Sequence, residues 1–249
     1  MQTVAIDTRL DGRLAVLVRP AAPGPWPGVV MVHEAWGLDD VLRRQAERLA
    51  SAGFVVLAPD LFDDGPRLRC VRSVFRSLGA RSGPPFALLQ AARAQLLEDR
   101  RVNGRVGVIG FCMGGGFALL VAAEGFDASA VNYGMVPADV EEVLRGACPV
   151  VASYGGRDRQ LVGEVPRLTA ALEANDVPHD VQVYPRAGHS FLNDAPNGPR
   201  VLRPLLRLAH VGPEPEAAQD AWRRIEAFFG THLAADMPGD PADATPAGT

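Results

Sequence analysis

The chain has 249 residues, 47% of them hydrophobic and 22% charged, with 25 basic groups against 29 acidic ones and a net charge of −4. That balance fits a folded globular protein and excludes a disordered or fibrous chain and a basic nucleic-acid footprint. Every basic residue is an arginine, so Schiff-base catalysis and a P-loop lysine are excluded as well.

Taken in chain order, residues 3–8 and 14–19 alternate in hydrophobicity around Asp11-Gly12, the signature of a tight hairpin. Residues 28–32 read as a buried strand running into the loop His33-Glu34-Ala35-Trp36-Gly37. A helix is expected over 39–52, apolar or alanine at 42, 46, 49 and 50 and stopped by Gly53, before a second core strand over 54–58. Residues 63–83 are arginine-rich and weakly helical, and Pro84-Pro85 opens a better helix to 99. Residues 105–109 form a third core strand, followed by the glycine-rich stretch 110–116 and a helix to 123. Strands over 128–133 and 150–154 flank a helix over 137–145. A helix over 164–175, a strand over 180–184 and an amphipathic helix over 214–233 complete the pattern.

Strands alternating with helices argue for parallel βαβ units. The expectation is one α/β domain over 1–233, with a mostly parallel central sheet and helices on both faces. Residues 192–213 hold four prolines and no period, so they read as an irregular cap or excursion, and the tail 234–249 reads as disordered. Residues 106–123 are uncharged over the nominal length of a membrane span, but glycines at 107, 110, 114, 115 and 116 favour a turn instead. The N-terminus has no apolar leader, and the three scattered cysteines (Cys70, Cys112 and Cys148) suit a reducing compartment rather than a disulfide framework. A cytoplasmic protein is expected, a monomer or small homo-oligomer without membrane or nucleic-acid partners.

The chemistry concentrates at Gly110-Phe111-Cys112-Met113-Gly114, the G-x-S-x-G elbow with cysteine as nucleophile. A nucleophile on so tight a strand-to-helix turn needs glycine two residues to either side, because side chains there would collide. The following helix N-terminus offers free N–H groups to a developing oxyanion and favours a thiolate. In α/β-hydrolases the acid and then the histidine follow the nucleophile in sequence. Here Asp158 follows the strand over 150–154 and His189 the strand over 180–184, both at strand ends where open α/β sheets build their sites. Glu34 sits in the loop that normally supplies the second oxyanion donor, close enough to hold the thiol protonated or to accept its proton. Arg69, Arg72 and Arg76 recur at helical spacing before the nucleophile strand and are candidates to clamp a substrate carboxylate. The remaining histidines (33, 179, 210 and 232) lack ligand spacing, and no G-x-G-x-x-G follows a strand, so neither a metal nor a dinucleotide cofactor is expected.

Five segments carry a wider likeness: Met31-Val32-His33-Glu34-Ala35-Trp36-Gly37, Ala58-Pro59-Asp60-Leu61, Gly110-Phe111-Cys112-Met113-Gly114-Gly115, Tyr154-Gly155-Gly156-Arg157-Asp158 and Gly188-His189-Ser190-Phe191. Together they resemble the dienelactone hydrolase family, over about residues 10–192 and the terminal helix. The resemblance implies an α/β-hydrolase fold and cofactor-free cleavage of enol-lactones and simple esters by a Cys112–His189–Asp158 triad. It also implies a Glu34 that pairs with the resting thiol and moves away when substrate binds. The oxyanion donors would be the N–H groups of Met113 and Ala35, with Trp36 against the substrate. Where family members acting on dienelactone carry an arginine four residues after the histidine, this chain has Asn193, followed by Asp194. Neutral lactones or aryl esters are therefore expected to be better substrates than an anionic lactone. The rival readings are a non-catalytic small-molecule-binding relative, a thiol redox enzyme without a nearby resolving cysteine, and an esterase or thioesterase of another pathway.

Overall fold

A computed structural model describes residues 1–62, 65–196, 198 and 203–234. Eight strands form one sheet in the order β1-β2-β4-β3-β5-β6-β7-β8. They are β1 (Thr3–Leu10), β2 (Arg13–Pro20), β3 (Trp26–Val32), β4 (Val55–Pro59), β5 (Val102–Phe111), β6 (Ser129–Asn132), β7 (Val150–Gly155) and β8 (His179–Tyr184). The β1–β2 and β2–β4 pairings are antiparallel, and every pairing from β4 to β8 is parallel. Asp11 and Gly12 both take positive φ, +48° and +79°, the geometry a two-residue hairpin demands. β4 and β7 are buried along their whole length, as expected of parallel strands covered on both faces.

The helices are α1 (Asp40–Ser51), α2 (Arg67–Ala80), α3 (Pro84–Glu98), α4 (Met113–Leu120), α5 (Val140–Val143), α6 (Val165–Ala174), α7 (Arg203–Leu208) and α8 (Pro215–His232). Alternation along β5 shows how they sandwich the sheet. A Cβ on Gly107 would meet Phe229 of α8, and Phe111 packs on Trp222 of α8 with ring centroids 5.8 Å apart, whereas Gly110 faces α4. α1 lies with α8, joined by Arg48 Nε to Glu226 Oε1 at 2.7 Å; α3 lies with α4, joined by Phe86 against Phe117.

Three elements differ from the expectation. β5 starts at Val102 rather than 105, α5 is a single turn rather than the span 137–145, and the excursion 192–213 contains α7. α7 has no buried residue, so it carries no amphipathic pattern that periodicity could detect. Of the tail, residues 235–249 lie outside the described residues. Among the described residues no helix is long and apolar enough to cross a membrane.

Candidate active site

Five parallel strands end at one rim of the sheet, and each delivers a polar or reactive residue there: β3 leads to His33-Glu34, β5 to Cys112, β6 to Tyr133, β7 to Asp158 and β8 to His189. Cys112 caps α4 with φ +57° and ψ −117°, a backbone conformation that a non-glycine residue keeps only when its surroundings hold it. The holding bonds are Cys112 N–H to the Asn132 carbonyl at 3.0 Å and Gly116 N–H to the Cys112 carbonyl at 3.2 Å. The flanking glycines are obligatory. A Cβ on Gly110 would lie 1.9 Å from the Gly114 carbonyl oxygen, and one on Gly114 would lie 2.3 Å from that of Val32. The second contact presses the elbow against the end of β3, the strand that leads into Glu34.

Asp158 is buried and its Oδ2 lies 2.6 Å from His189 Nδ1. Burial works against charging His189, but its hydrogen bonds to Asp158 and to Cys112 outweigh that and push it up to about 10. The imidazole thus bonds the carboxylate through Nδ1 and has the Cys112 side chain within reach, an order that suits proton transfer from sulfur. The histidine loop is tied down behind it: Gly212 N–H bonds the His189 carbonyl at 2.9 Å and Glu214 N–H bonds the Phe191 carbonyl at 3.2 Å. Met113 is the first residue of α4, so its N–H sits at the end of the helix where anions are favoured.

The loop after β3 is braced by His33, a residue the sequence reading set aside. His33 is fully buried; its Nδ1 lies 2.7 Å from the Glu34 carbonyl, and its Nε2 accepts from Leu61 N–H at 2.9 Å. Nε2 also stands 3.2 Å from Asp60 Oδ1, so contacts on both ring nitrogens fix the peptide leading to Ala35. Tyr133 was also missed. It is fully buried at φ +41°, its ring stands 5.0 Å from that of His189, and burial together with the Glu34 and Cys112 charges holds its hydroxyl well above the usual range. An aromatic residue directly before Gly134 at a strand end was the available signal.

A cavity of about 850 Å³ opens beside Ala35 and Trp36, with Val41, Leu68 and Val71 as apolar wall and Arg67 among its cations. The arginines expected to reach substrate do not line it. Arg69, Arg72 and Arg76 are exposed and line a separate groove, because α2 buries Cys70, Val74 and Leu78 and thereby turns the three arginines outward. Arg67 was overlooked; its guanidinium lies over the Phe62 ring and its Nη2 stands 3.5 Å from the Ala35 carbonyl. Asn193 does not line this cavity either. It is 2% exposed, with its amide between Glu34 and Gln45. Asp194 adds no lone negative charge, since Arg44 pairs with it at 2.8 Å.

The model of the dienelactone hydrolase family matches residues 14–233. A carboxymethylenebutenolidase from Pseudomonas sp. (strain P51) is 31% identical over 233 residues, covering 84% of this chain and 96% of that protein. Solved structures share the fold. The dienelactone hydrolase of Anabaena variabilis superposes with a TM-score of 0.68 at 21% identity, covering 94% of this chain and 99% of that one. A dienelactone hydrolase-like promiscuous phosphotriesterase, P91, from metagenomic libraries superposes with a TM-score of 0.75 at 23% identity and the same coverage. With a family model spanning nearly its whole length, the chain belongs to the dienelactone hydrolase family.

Proposed function

We propose that this protein hydrolyses carboxylic esters or lactones through a covalent thioester on Cys112. The observation that carries the reading is Cys112 held on a strained turn and hydrogen-bonded to a histidine whose other nitrogen lies 2.6 Å from a buried carboxylate. The proton of the Cys112–His189 pair rests on His189, whose affinity for it is raised, and the sulfur adds to the acyl carbonyl. The N–H groups of Met113 and Ala35 bind the resulting oxyanion. As the tetrahedral adduct collapses, the C–O bond breaks and His189 returns the proton to the leaving oxygen. Water, deprotonated by His189, then attacks the thioester and gives back carboxylic acid and free thiol. Asp158 keeps the imidazole in the required tautomer and supports its charge. An enol-lactone suits this nucleophile, because an enolate leaves with little acid assistance.

The cavity beside Trp36 supports a substrate with an apolar body. Charge preference falls to Arg67 rather than to position 193, because Asn193 is turned inward. The other two cysteines are poor nucleophile candidates by position: both are buried, and burial pushes Cys148 up to about 12.

Hydrolysis of p-nitrophenyl acetate tests the reading. Cys112→Ala is expected to lose turnover while keeping the circular dichroism spectrum of the parent, and Cys70→Ala and Cys148→Ala to retain it. Iodoacetamide should silence the parent enzyme and both outlying variants alike. A Cys112→Ala protein with parental turnover refutes the assignment.

A further inference from the structure

Asn193 is built into a buried chain of polar contacts. Gln45, on the inner face of α1, donates Nε2–H to Asn193 Oδ1 at 3.0 Å. Asn193 in turn points Nδ2 at the Glu34 carboxylate, 3.3 Å from Oε2 and 3.5 Å from Oε1. The three side chains belong to residues only 6%, 2% and 6% exposed, for Gln45, Asn193 and Glu34 in that order. Each needs a partner where water does not reach. The order of contacts also fixes the amide. With a donor of Gln45 on one side and a carboxylate on the other, a flipped Asn193 would set oxygen against oxygen and N–H against N–H.

The same carboxylate faces the reaction centre. The end of β3, which leads directly into Glu34, packs on the nucleophile turn: a Cβ on Gly114 would lie 2.3 Å from the Val32 carbonyl oxygen and 2.8 Å from that of His33. Tyr133, whose ring stands 5.0 Å from that of His189, feels the charges of both Glu34 and Cys112. Asp39, at the edge of the small cavity shared by Glu34, Gln45 and Asn193, is occupied as the cap of α1, accepting Leu42 N–H at 3.0 Å. Arg44, next to Gln45, is engaged by Asp194.

We infer that Asn193 is a positioning residue: oriented by Gln45, it holds the Glu34 carboxylate back from the nucleophile and so sets the protonation of Cys112 without touching substrate. The inference rests on Cys112 being the nucleophile. A neutral amide holds Glu34 in this way with no anion bound.

The experiment reads the thiol directly. The rate of Cys112 alkylation by iodoacetamide is followed against pH on the full chain, from the mass of the peptide containing Cys112. Asn193→Ala frees a negative charge to approach the sulfur, so the alkylation midpoint should move upward by about half a pH unit or more. On p-nitrophenyl acetate kcat should fall about 3- to 30-fold with KM within about twofold. Gln45→Leu should shift the midpoint in the same direction by less, and serves in place of Asn193→Ala should that variant fail to fold. In a Glu34→Gln background, Asn193→Ala should shift nothing, because the group it positions has lost its charge. An unchanged midpoint in the folded single variants, or an equal shift in both backgrounds, overturns the inference. Alkylation needs no substrate, so the two readings fail separately: parental turnover in Cys112→Ala overturns the nucleophile, and an unmoved midpoint overturns the clamp alone.

Discussion

At the residue scale the site depends on pairs rather than single side chains. Asp158 Oδ2, 2.6 Å from His189 Nδ1, fixes the orientation of that ring. Asp158→Asn keeps the shape but offers an amide where the imidazole needs a charged acceptor, so turnover should fall by about 10²–10⁴. Asp180→Asn, whose parent carboxylate is paired with Arg224 away from the site, should stay within about threefold by the same reasoning. Steady-state kinetics on one aryl ester checks both, and an essential Asp180 would contradict the geometry. Cys112, Asp158 and His189 were legible in sequence because each follows a hydrophobic run and is marked by adjacent glycine. Arg67 and Asn193 were not, since their roles depend on which way a helix or loop is rotated. For α2 the clue was present: Cys70, Val74 and Leu78 recur at i, i+4 and i+8 and claim the inner face, which sends Arg69, Arg72 and Arg76 outward.

At the scale of elements, the turn from β5 into α4 tolerates no added atoms. The Cβ of a Gly114→Ala variant would fall 2.3 Å from the backbone of β3, and neither partner is a flexible side chain that can retreat. Such overpacking should destabilise the protein by about 3 kcal/mol or more. Ala at Gly163, where nothing lies within 4 Å of the added Cβ, should change stability by less than about 0.5 kcal/mol. Urea unfolding of the two variants makes the comparison, and equal stabilities would show that the elbow is looser than drawn. The hairpin, the parallel strands and the long helices could be read from turn chemistry and periodicity. α7 could not, because a helix of six residues with no buried position has no apolar stripe. α1 was placed within a residue of its bounds, but Gln45, buried on its inner face, carries no apolar signal; in the fold it meets Asn193.

At the scale of the whole molecule, folding brings residues separated by more than 150 positions to one rim, Glu34 and Asn193 among them, and links stability to pH through the Asp158–His189 pair. His189 rises from its ordinary 6.5 to about 10 in the folded state. A raised pKa means that the folded protein holds this proton more tightly than the unfolded chain. The stabilisation is therefore complete below about pH 6.5, declines as pH rises, and is gone once pH passes about 10. Melting temperatures taken from pH 6 to pH 10 should fall more steeply for the parent than for Asp158→Asn, which lacks the carboxylate that helps to hold the proton. Parallel curves would contradict the assignment.

The most direct test of the central claim is to catch the acyl group on its carrier. The full-length protein is mixed with p-nitrophenyl acetate, quenched in acid within the first turnovers, digested and mapped by mass spectrometry. The account predicts one added acetyl group on the peptide containing Cys112, labile to hydroxylamine, absent from Cys112→Ala and accumulating in Asp158→Asn if deacylation slows more than acylation. Acetyl carried by Cys70, Cys148 or a serine, with rapid hydrolysis and an unmodified Cys112, would contradict it.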